Sequence, residues 1–187
     1  MNILVTPRLL LRPFTMGDLD DVIALYSDPD VMRYITAIET PEEIRASLER
    51  MISRFEERGW GMFAVIERRE KRFIGCCGLQ PLDATQMIEL SFTLAKSAWG
   101  KGYATEASKL LLRKAFTDWG LETVVAIVQP ENTSSTHIME KLGMQYVRNG
   151  EFYHKNCALY ALEKQPQPPT RPFREKLDFF REYATVS

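Results

Sequence analysis

The stretch WGKGYATEA, from Trp99 to Ala107, is a glycine-rich turn between a predicted strand and a predicted helix. Residues 87–94 before it alternate apolar and polar side chains, as in a strand with one buried face. Residues 103–119 carry a wide apolar stripe at helical spacing, and residues 124–128 are a β-branched run typical of a buried strand. Because a strand, helix and strand in this order form a right-handed crossover, the two strands are predicted to be parallel.

The rest of the chain predicts hairpin-like connections between neighbouring elements. Residues 62–67 and 72–79 are strand candidates on either side of a charged hairpin tip. Thr40, Pro41 and Glu43 are strong signals for the start of a helix that is predicted to end near Gly59. The sequence therefore predicts an α+β fold with a mixed, largely antiparallel central sheet, flanking helices and one parallel β-α-β unit. The other predicted elements are strands at 9–13, 144–148 and 158–162 and helices at 15–26 and 134–142.

The chain is predicted to consist of one domain and a tail. Residues 1–164 are long enough for a single domain with a sizeable core. Residues 165–172 are rich in Pro and Gln, which predicts an extended linker. Phe173, Leu177 and Phe180 recur at helical spacing, so a tail helix is predicted within residues 165–187. The predicted oligomeric state is a monomer or a homodimer.

The composition argues against several classes of partner. The net charge is −1 and no run of Lys or Arg occurs, so neither nucleic acid nor an anionic membrane is an expected partner. No apolar run approaches the roughly 20 residues of a membrane-spanning helix, and the N-terminus lacks the pattern of a signal peptide. A cytoplasmic location is therefore expected. The three cysteines and two histidines lack metal-ligand spacing, and no metal site is expected.

The glycine-rich turn predicts a binding site for a pyrophosphate. Glycines let the backbone approach a ligand closely, and the first turn of the next helix has N–H groups without intrahelical partners. A helix N-terminus of this kind attracts anions. A P-loop would require Gly at Ala95 and Ser or Thr at Gly102, and a dinucleotide fingerprint would require a third glycine at Thr105. Both of these alternative phosphate motifs are therefore excluded.

Four motifs follow one another along the chain: TPRLLLR at 6–12, IEL at 88–90, WGKGYA at 99–104, and ENTSS at 131–135 with EKLGM at 140–144. In this order they resemble the motifs of the GNAT superfamily of acetyltransferases. The turn is similar to the family's pyrophosphate loop, except that Trp99 replaces the usual Gln or Arg. Trp99 and the N-terminal motif are features of the branch that acetylates the N-terminal amine of ribosomal proteins. The resemblance covers residues 6–163.

The resemblance implies a GNAT fold and acetyl-CoA as co-substrate, with direct attack of an amine on the thioester. Backbone N–H groups of the loop are expected to bind the pyrophosphate, and one near the end of the fourth strand is expected to stabilise the oxyanion. Asn132 matches an asparagine that hydrogen-bonds the pantetheine arm, and it also suits a helix N-cap. The expected acetyl-CoA-binding residues are Phe92, Thr93, Leu94, Trp99, Gly100, Lys101, Gly102, Tyr103, Ala104, Thr105, Asn132 and Ser135.

Glu89 and Ser135 are the predicted catalytic residues. Glu89 matches a position where many superfamily members carry a catalytic glutamate, and it is predicted to take the proton of the amine. A structural ion pair is the alternative role for Glu89. Ser135 matches a family serine near the coenzyme sulfur and is predicted to protonate the leaving thiolate, with capping of its own helix as the alternative. Three tyrosines are alternatives to Ser135, namely Tyr146, Tyr153 and Tyr160.

The branch implies that the acceptor is the N-terminal α-amine of a ribosomal protein or peptide. An α-amine has a pKa near 8, so roughly a tenth of it is neutral at pH 7 and a weakly perturbed carboxylate suffices as the base. The alternatives are a small-molecule amine (an amino acid, polyamine or aminoglycoside) and a non-catalytic acyl-CoA sensor. Residues 30–39, the neighbourhood of Trp60 and the turn after Met144 are expected to influence the choice of substrate. A solvated charged face is expected for Asp18, Asp20, Asp21, Asp28 and Asp30.

Overall fold

The computed structural model describes residues 2–35, 39–82 and 85–165. These residues form eight strands and five helices. The strands are β1 (Leu4–Val5), β2 (Leu9–Pro13), β3 (Met62–Glu67), β4 (Arg72–Pro81), β5 (Ile88–Leu94), β6 (Thr123–Val128), β7 (Gln145–Phe152) and β8 (Lys155–Glu163). The helices are α1 (Leu19–Tyr26), α2 (Pro29–Met32), α3 (Pro41–Arg58), α4 (Tyr103–Thr117) and α5 (Thr133–Lys141).

All eight strands belong to one sheet in the order β1-β2-β3-β4-β5-β6-β8-β7. Neighbouring strands are antiparallel except for β5 and β6, which are parallel and are connected through α4. The predicted α+β fold with a single parallel β-α-β unit is therefore confirmed. In the part of the chain that the structure describes, no helix is long and apolar enough to cross a membrane.

The sheet separates two layers of helices. Met62 and Ala64 of β3 belong to a core cluster with side chains of α1 and α3. Phe63 and Val65, which alternate with them, belong to a second cluster with side chains of α4 and α5. Because successive side chains of a strand point to opposite faces, α1 and α3 cover one face of the sheet and α4 and α5 cover the other.

Local signals account for the ends of α3. Thr40 and Glu43 form the predicted capping box, in which the Thr40 amide donates to a Glu43 carboxylate oxygen at 2.7 Å. Gly59 ends the helix in the left-handed conformation, with φ of 73°. The helix that was expected to begin near Thr15 instead starts with a short 3-10 turn, Met16–Asp18, and α1 follows it.

Four further elements differ from the expectation. The helix α4 ends at Thr117 rather than Trp119, because Gly120 takes a positive φ of 68° and the Trp119 ring stacks on Trp60. The last two strands are longer than predicted and form a hairpin with its turn at residues 153–154. The short strand β1 was not predicted. The structure describes the chain only as far as Gln165, so the predicted linker and tail helix lie outside the described residues.

Candidate active site

A cavity of about 430 Å³ lies where β5 and β6 separate. Among the described residues, the parallel register pairs only Glu89 of β5 with Val125 of β6. Toward their carboxyl ends the strands diverge, and residues 90–93 and 126–129 line the cavity between them. The interruption of the sheet exposes backbone of both strands to the cavity, where an extended ligand could form hydrogen bonds with it.

The cavity reaches both faces of the sheet. Leu90 and Phe92 belong to the core of the α4 and α5 face, and Met139 of α5 also lines the cavity there. The alternating residues of β5 point to the opposite face, where Thr93 lies beside Tyr26 of α1. Glu89 therefore lies on the α1 and α3 face. Tyr34, Arg50 and Arg54 line the cavity on that same side.

The glycine-rich turn has the backbone conformation that an anion cradle needs. Gly100 and Gly102 have φ of 72° and 77°, in the left-handed region that favours glycine. A Cβ at Gly100 would meet nothing within 4 Å, so backbone conformation rather than crowding requires glycine there. Gly102 is the N-cap of α4, and its carbonyl accepts from Glu106. The N–H groups of residues 103–105 therefore have no partner four residues earlier.

Arg8, in the N-terminal segment of the chain, contacts this turn and the start of α4. Its guanidinium donates to the Lys101 carbonyl at 2.8 Å and to a Glu106 carboxylate oxygen at 2.6 Å. The same group lies over the Tyr103 ring, 4.7 Å from its centroid. Thr6 adds a hydrogen bond to Glu106 at 2.6 Å. These contacts fix the loop and the first turn of α4 relative to each other.

The Glu106 carboxylate is held in its ionised form. Partial burial by itself would raise its pKa, but the hydrogen bonds from Thr6 and Arg8 outweigh that effect. The pKa of Glu106 therefore lies below its ordinary value. A negative charge in the first turn of α4 also interacts favourably with the helix dipole.

Several of the expected coenzyme-binding residues lie beside the cavity rather than in its wall. The Trp99 indole donates to the Leu94 carbonyl at 2.7 Å and so connects the turn to the end of β5. The Leu94 side chain is buried in the core. The turn follows β5, beyond the cavity wall, and Lys101 is exposed. Phe92, Thr93, Asn132 and Ser135 do line the cavity.

Glu89 is buried next to the point where β5 and β6 separate. Only 5% of the residue is exposed. Its carboxylate accepts a hydrogen bond from the Tyr153 hydroxyl at 3.1 Å and one from the Gln80 side-chain amide at 3.3 Å. Tyr153 lies in the β7–β8 turn with φ of 49°, an uncommon conformation for a residue other than glycine. This turn therefore carries the Tyr153 hydroxyl to the α3 face of the cavity.

Asn132 and Ser135 lie on the other side of the cavity, at the start of α5. The Asn132 side chain accepts from the Ser135 amide at 3.1 Å, so Asn132 caps the helix as expected. Tyr146 and Tyr160 do not line the cavity. Their rings contact each other at 5.9 Å, and the Tyr146 hydroxyl donates to Asn149.

Sequence reasoning missed part of the α3 face and misjudged one acidic residue. Arg50, Arg54, Gln80 and Lys155 line the cavity, and none of them belongs to a motif. Asp18 is buried and bonded to Arg12, so it does not belong to a solvated face. Burial would raise the pKa of Asp18, but hydrogen bonds from Arg12 and Thr15 hold it below its ordinary value.

The cysteines lack the features of activated nucleophiles. Cys157 lines the cavity, but burial raises the pKa of its thiol despite the nearby Lys155. Cys76 and Cys77 are fully buried, and burial raises the pKa of Cys77 to about 12. Within residues 2–35, 39–82 and 85–165, no group of three or more His, Cys, Asp or Glu side chains could hold a metal ion.

Comparison with known proteins gives a family match and several similar proteins, among them an uncharacterized protein and a polyamine acetyltransferase. The family described as "Acetyltransferase (GNAT) domain" matches residues 8–145. The uncharacterized protein YkkB of Bacillus subtilis is 30% identical over 164 residues, which cover 84% of this chain and 93% of that protein. The spermidine N(1)-acetyltransferase of Escherichia coli (strain K12) is 28% identical over 154 residues, which cover 78% of this chain and 76% of that protein.

Two solved structures share the fold. The ribosomal-protein-S5-alanine acetyltransferase of Vibrio fischeri superposes with a TM-score of 0.76 at 15% identity, covering 90% of this chain and all of that one (100%). The spermidine N-acetyltransferase of Vibrio cholerae, in complex with CoA and spermine, gives a TM-score of 0.68 at 23% identity. That match covers 84% of this chain and 96% of the other. At these identities the likeness shows the fold alone.

Proposed function

The chain belongs to the GNAT acetyltransferase family and is an acetyl-CoA-dependent N-acetyltransferase, and on that premise we propose that its acceptor is the N-terminal α-amine of a peptide or protein. Ribosomal proteins are the candidates that the sequence motifs favour. One observation carries the proposal. The buried carboxylate of Glu89 lies on the α3 face of a cavity that reaches through the sheet to α5.

The residues of the α5 face suit acetyl-CoA. The left-handed glycines Gly100 and Gly102 and the first turn of α4 supply backbone N–H groups for the pyrophosphate. The cavity between β5 and β6 suits the extended pantetheine arm, with Asn132 at its edge. Bound acetyl-CoA supplies a thioester whose carbonyl carbon accepts the amine. Backbone N–H groups of residues 92–94 are the proposed donors to the oxygen of that carbonyl.

Glu89 is the proposed general base. It takes the proton of the amine, and its position is fixed by Tyr153 and Gln80. An α-amine with a pKa near 8 needs only a weak base, since roughly a tenth of it is neutral at pH 7. A lysine side chain near 10.4 would first have to lose over 3 kcal/mol of preference for its proton. An α-amine is therefore the acceptor that demands least of the proposed base, which is compatible with the proposal.

Ser135 is the proposed proton donor to the departing thiolate. It lines the cavity from α5, on the face assigned to the coenzyme, whereas Tyr153 contacts Glu89 on the opposite face. A thiol with a pKa near 8.5 is a good leaving group, so the proton donor contributes less than the base. We therefore expect Ser135→Ala to lower kcat by less than Glu89→Gln does.

A small-molecule amine is the second candidate acceptor, because one relative at 28% identity is a spermidine N(1)-acetyltransferase. Release of the CoA thiol from acetyl-CoA distinguishes the candidates when peptides, amino acids, polyamines and aminoglycosides are compared. We expect turnover with peptides that have a free N-terminus, and none when that terminus is blocked. Turnover with spermidine alone would contradict the proposed acceptor. Coenzyme binding without turnover on any amine would indicate a non-catalytic acyl-CoA sensor.

A further inference from the structure

The α3 face of the cavity carries more positive than negative side chains. Its cations are Arg50, Arg54 and Lys155, and its carboxylates are Glu39 and Glu89. Among the described residues, three positive and two negative side chains leave a surplus of one positive charge when both carboxylates are ionised. A cavity that accepts a simple polycation would be expected to show the opposite balance.

Arg50 and Arg54 are the distinctive members of this group. They lie four residues apart on α3, in adjacent turns of one helix face, and like charges at that spacing destabilise a helix. Among the residues that the structure describes, neither forms an ion pair with a carboxylate. Arg50 donates to the hydroxyl of Ser47, at 2.7 Å. Two neighbouring guanidinium groups therefore line the cavity, and no carboxylate of residues 2–35, 39–82 or 85–165 neutralises them.

The other cation of this face has a structural partner. Lys155 donates to the Ile35 carbonyl at 3.1 Å and so connects the start of β8 to the segment after α2. Arg8 and Arg12, elsewhere in the chain, are neutralised by Glu106 and Asp18. Arg50 and Arg54 are thus arginines of the cavity wall that form no ion pair with a described carboxylate, and their guanidinium groups can bind an anionic ligand.

We propose that the acceptor carries a carboxylate close to its amine, in the form of a peptide with Asp or Glu just after its N-terminal residue. Arg50 and Arg54 bind that carboxylate, because a guanidinium matches its geometry with paired hydrogen bonds. A polyamine would instead bring further positive charges toward both arginines. The inference rests on the proposed function and specifies the peptides that the site accepts.

Matched peptides test the inference. The pair is Ser-Asp-Glu-Ala-Gly and Ser-Asn-Gln-Ala-Gly, which have the same length and differ only in charge. We expect kcat/KM for the acidic peptide to be at least about 10-fold higher, mainly through KM. The double variant Arg50→Gln/Arg54→Gln removes this preference but leaves the KM of acetyl-CoA unchanged. Arg45→Gln, an exposed arginine of α3 that does not line the cavity, is the control and keeps the preference.

The results distinguish the inference from the proposed function. Equal kcat/KM for the two peptides would overturn the inference while the peptide acceptor stands. A preference for the acidic peptide that persists in the double variant would also overturn the inference, because residues other than Arg50 and Arg54 would then bind the carboxylates of the peptide. If free aspartate or glutamate is acetylated and no peptide is, both proposals fail. Raising the salt concentration to about 0.5 M should weaken the preference of the wild type, since salt screens exposed charges.

Discussion

The two sides of the cavity are built in different ways. On the proposed coenzyme side, just beyond the cavity wall, residues 99–105 form one contiguous turn and present backbone groups held by Arg8 and Glu106. On the acceptor side, side chains come from α3, β4, β5 and the β7–β8 hairpin, which are far apart in sequence. A constant ligand such as a coenzyme can be bound by backbone, whereas an acceptor is selected by side chains. The proposed coenzyme site can therefore be predicted from a motif, whereas the proposed acceptor site can be found only from the fold.

The largest effect is expected at the point where the two sides meet. Glu89→Gln keeps the shape of the side chain but removes the proposed base, so kcat/KM for the acceptor should fall by about 10²- to 10⁴-fold. The dissociation constant of acetyl-CoA, measured by calorimetry, should not change. Unchanged turnover in this variant would assign Glu89 a purely structural role.

A glycine pair tests the coenzyme side. Gly100→Ala places a Cβ on a residue with φ of 72° and should raise the KM of acetyl-CoA about 5- to 30-fold, corresponding to about 1–2 kcal/mol of backbone strain. Gly120→Ala is the matched control, because Gly120 has φ of 68° and also has open space around it. It should lower the thermal midpoint without changing that KM. An equal rise of KM in both variants would exclude a local role for Gly100.

A tyrosine pair tests the acceptor side. Tyr153→Phe removes the hydrogen bond to Glu89 and should lower kcat about 5-fold. This is the change in rate that corresponds to the loss of a hydrogen bond worth about 1 kcal/mol. The KM of acetyl-CoA should stay the same. Tyr146→Phe, which removes a hydroxyl that bonds Asn149 outside the cavity, should leave both constants unchanged. A similar loss in both variants would show that Tyr153 does not position Glu89.

The smallest effect is expected from the contacts of Arg8 with Glu106 and the glycine-rich turn. The lowered pKa of Glu106 stabilises the folded state above the ordinary carboxyl pKa near 4.3, and this contribution is lost as pH falls through the lower folded value. Arg8→Met should therefore lower the thermal midpoint by about 2–4 °C at pH 7. The difference from the wild type should narrow as pH falls below about 4. A difference that does not depend on pH would mean that Arg8 acts through packing alone.

Sequence reasoning succeeded where backbone geometry restricts the residue type. The helix start at Thr40 and the glycines of the turn are such cases, and both have the conformation that the motifs imply. It was less successful in the last hairpin, where Asn149, Gly150 and Asn156 are residues with low β propensity. Those residues nonetheless belong to paired strands, because the antiparallel ladder continues to the turn. The position of Tyr153 could not be predicted without that register.

The arginines of α3 could not be found from the sequence for a different reason. Exposed charges on an amphipathic helix ordinarily form a solvated face. Which of them line a cavity depends on how α3 packs against the sheet through Ile44 and Leu48. Asp18 was misjudged for the same reason, since its burial depends on the approach of Arg12 from β2. Both cases are set by tertiary packing rather than by local pattern.

The position of the acetyl group on a peptide product tests the central claim most directly. The peptide carries a free N-terminal serine, an acidic second residue and one internal lysine, and tandem mass spectrometry of the product locates the modification. We predict a single acetyl group on the α-amine. Acetylation of the lysine, or no peptide product under conditions in which spermidine is acetylated, would contradict the proposed acceptor.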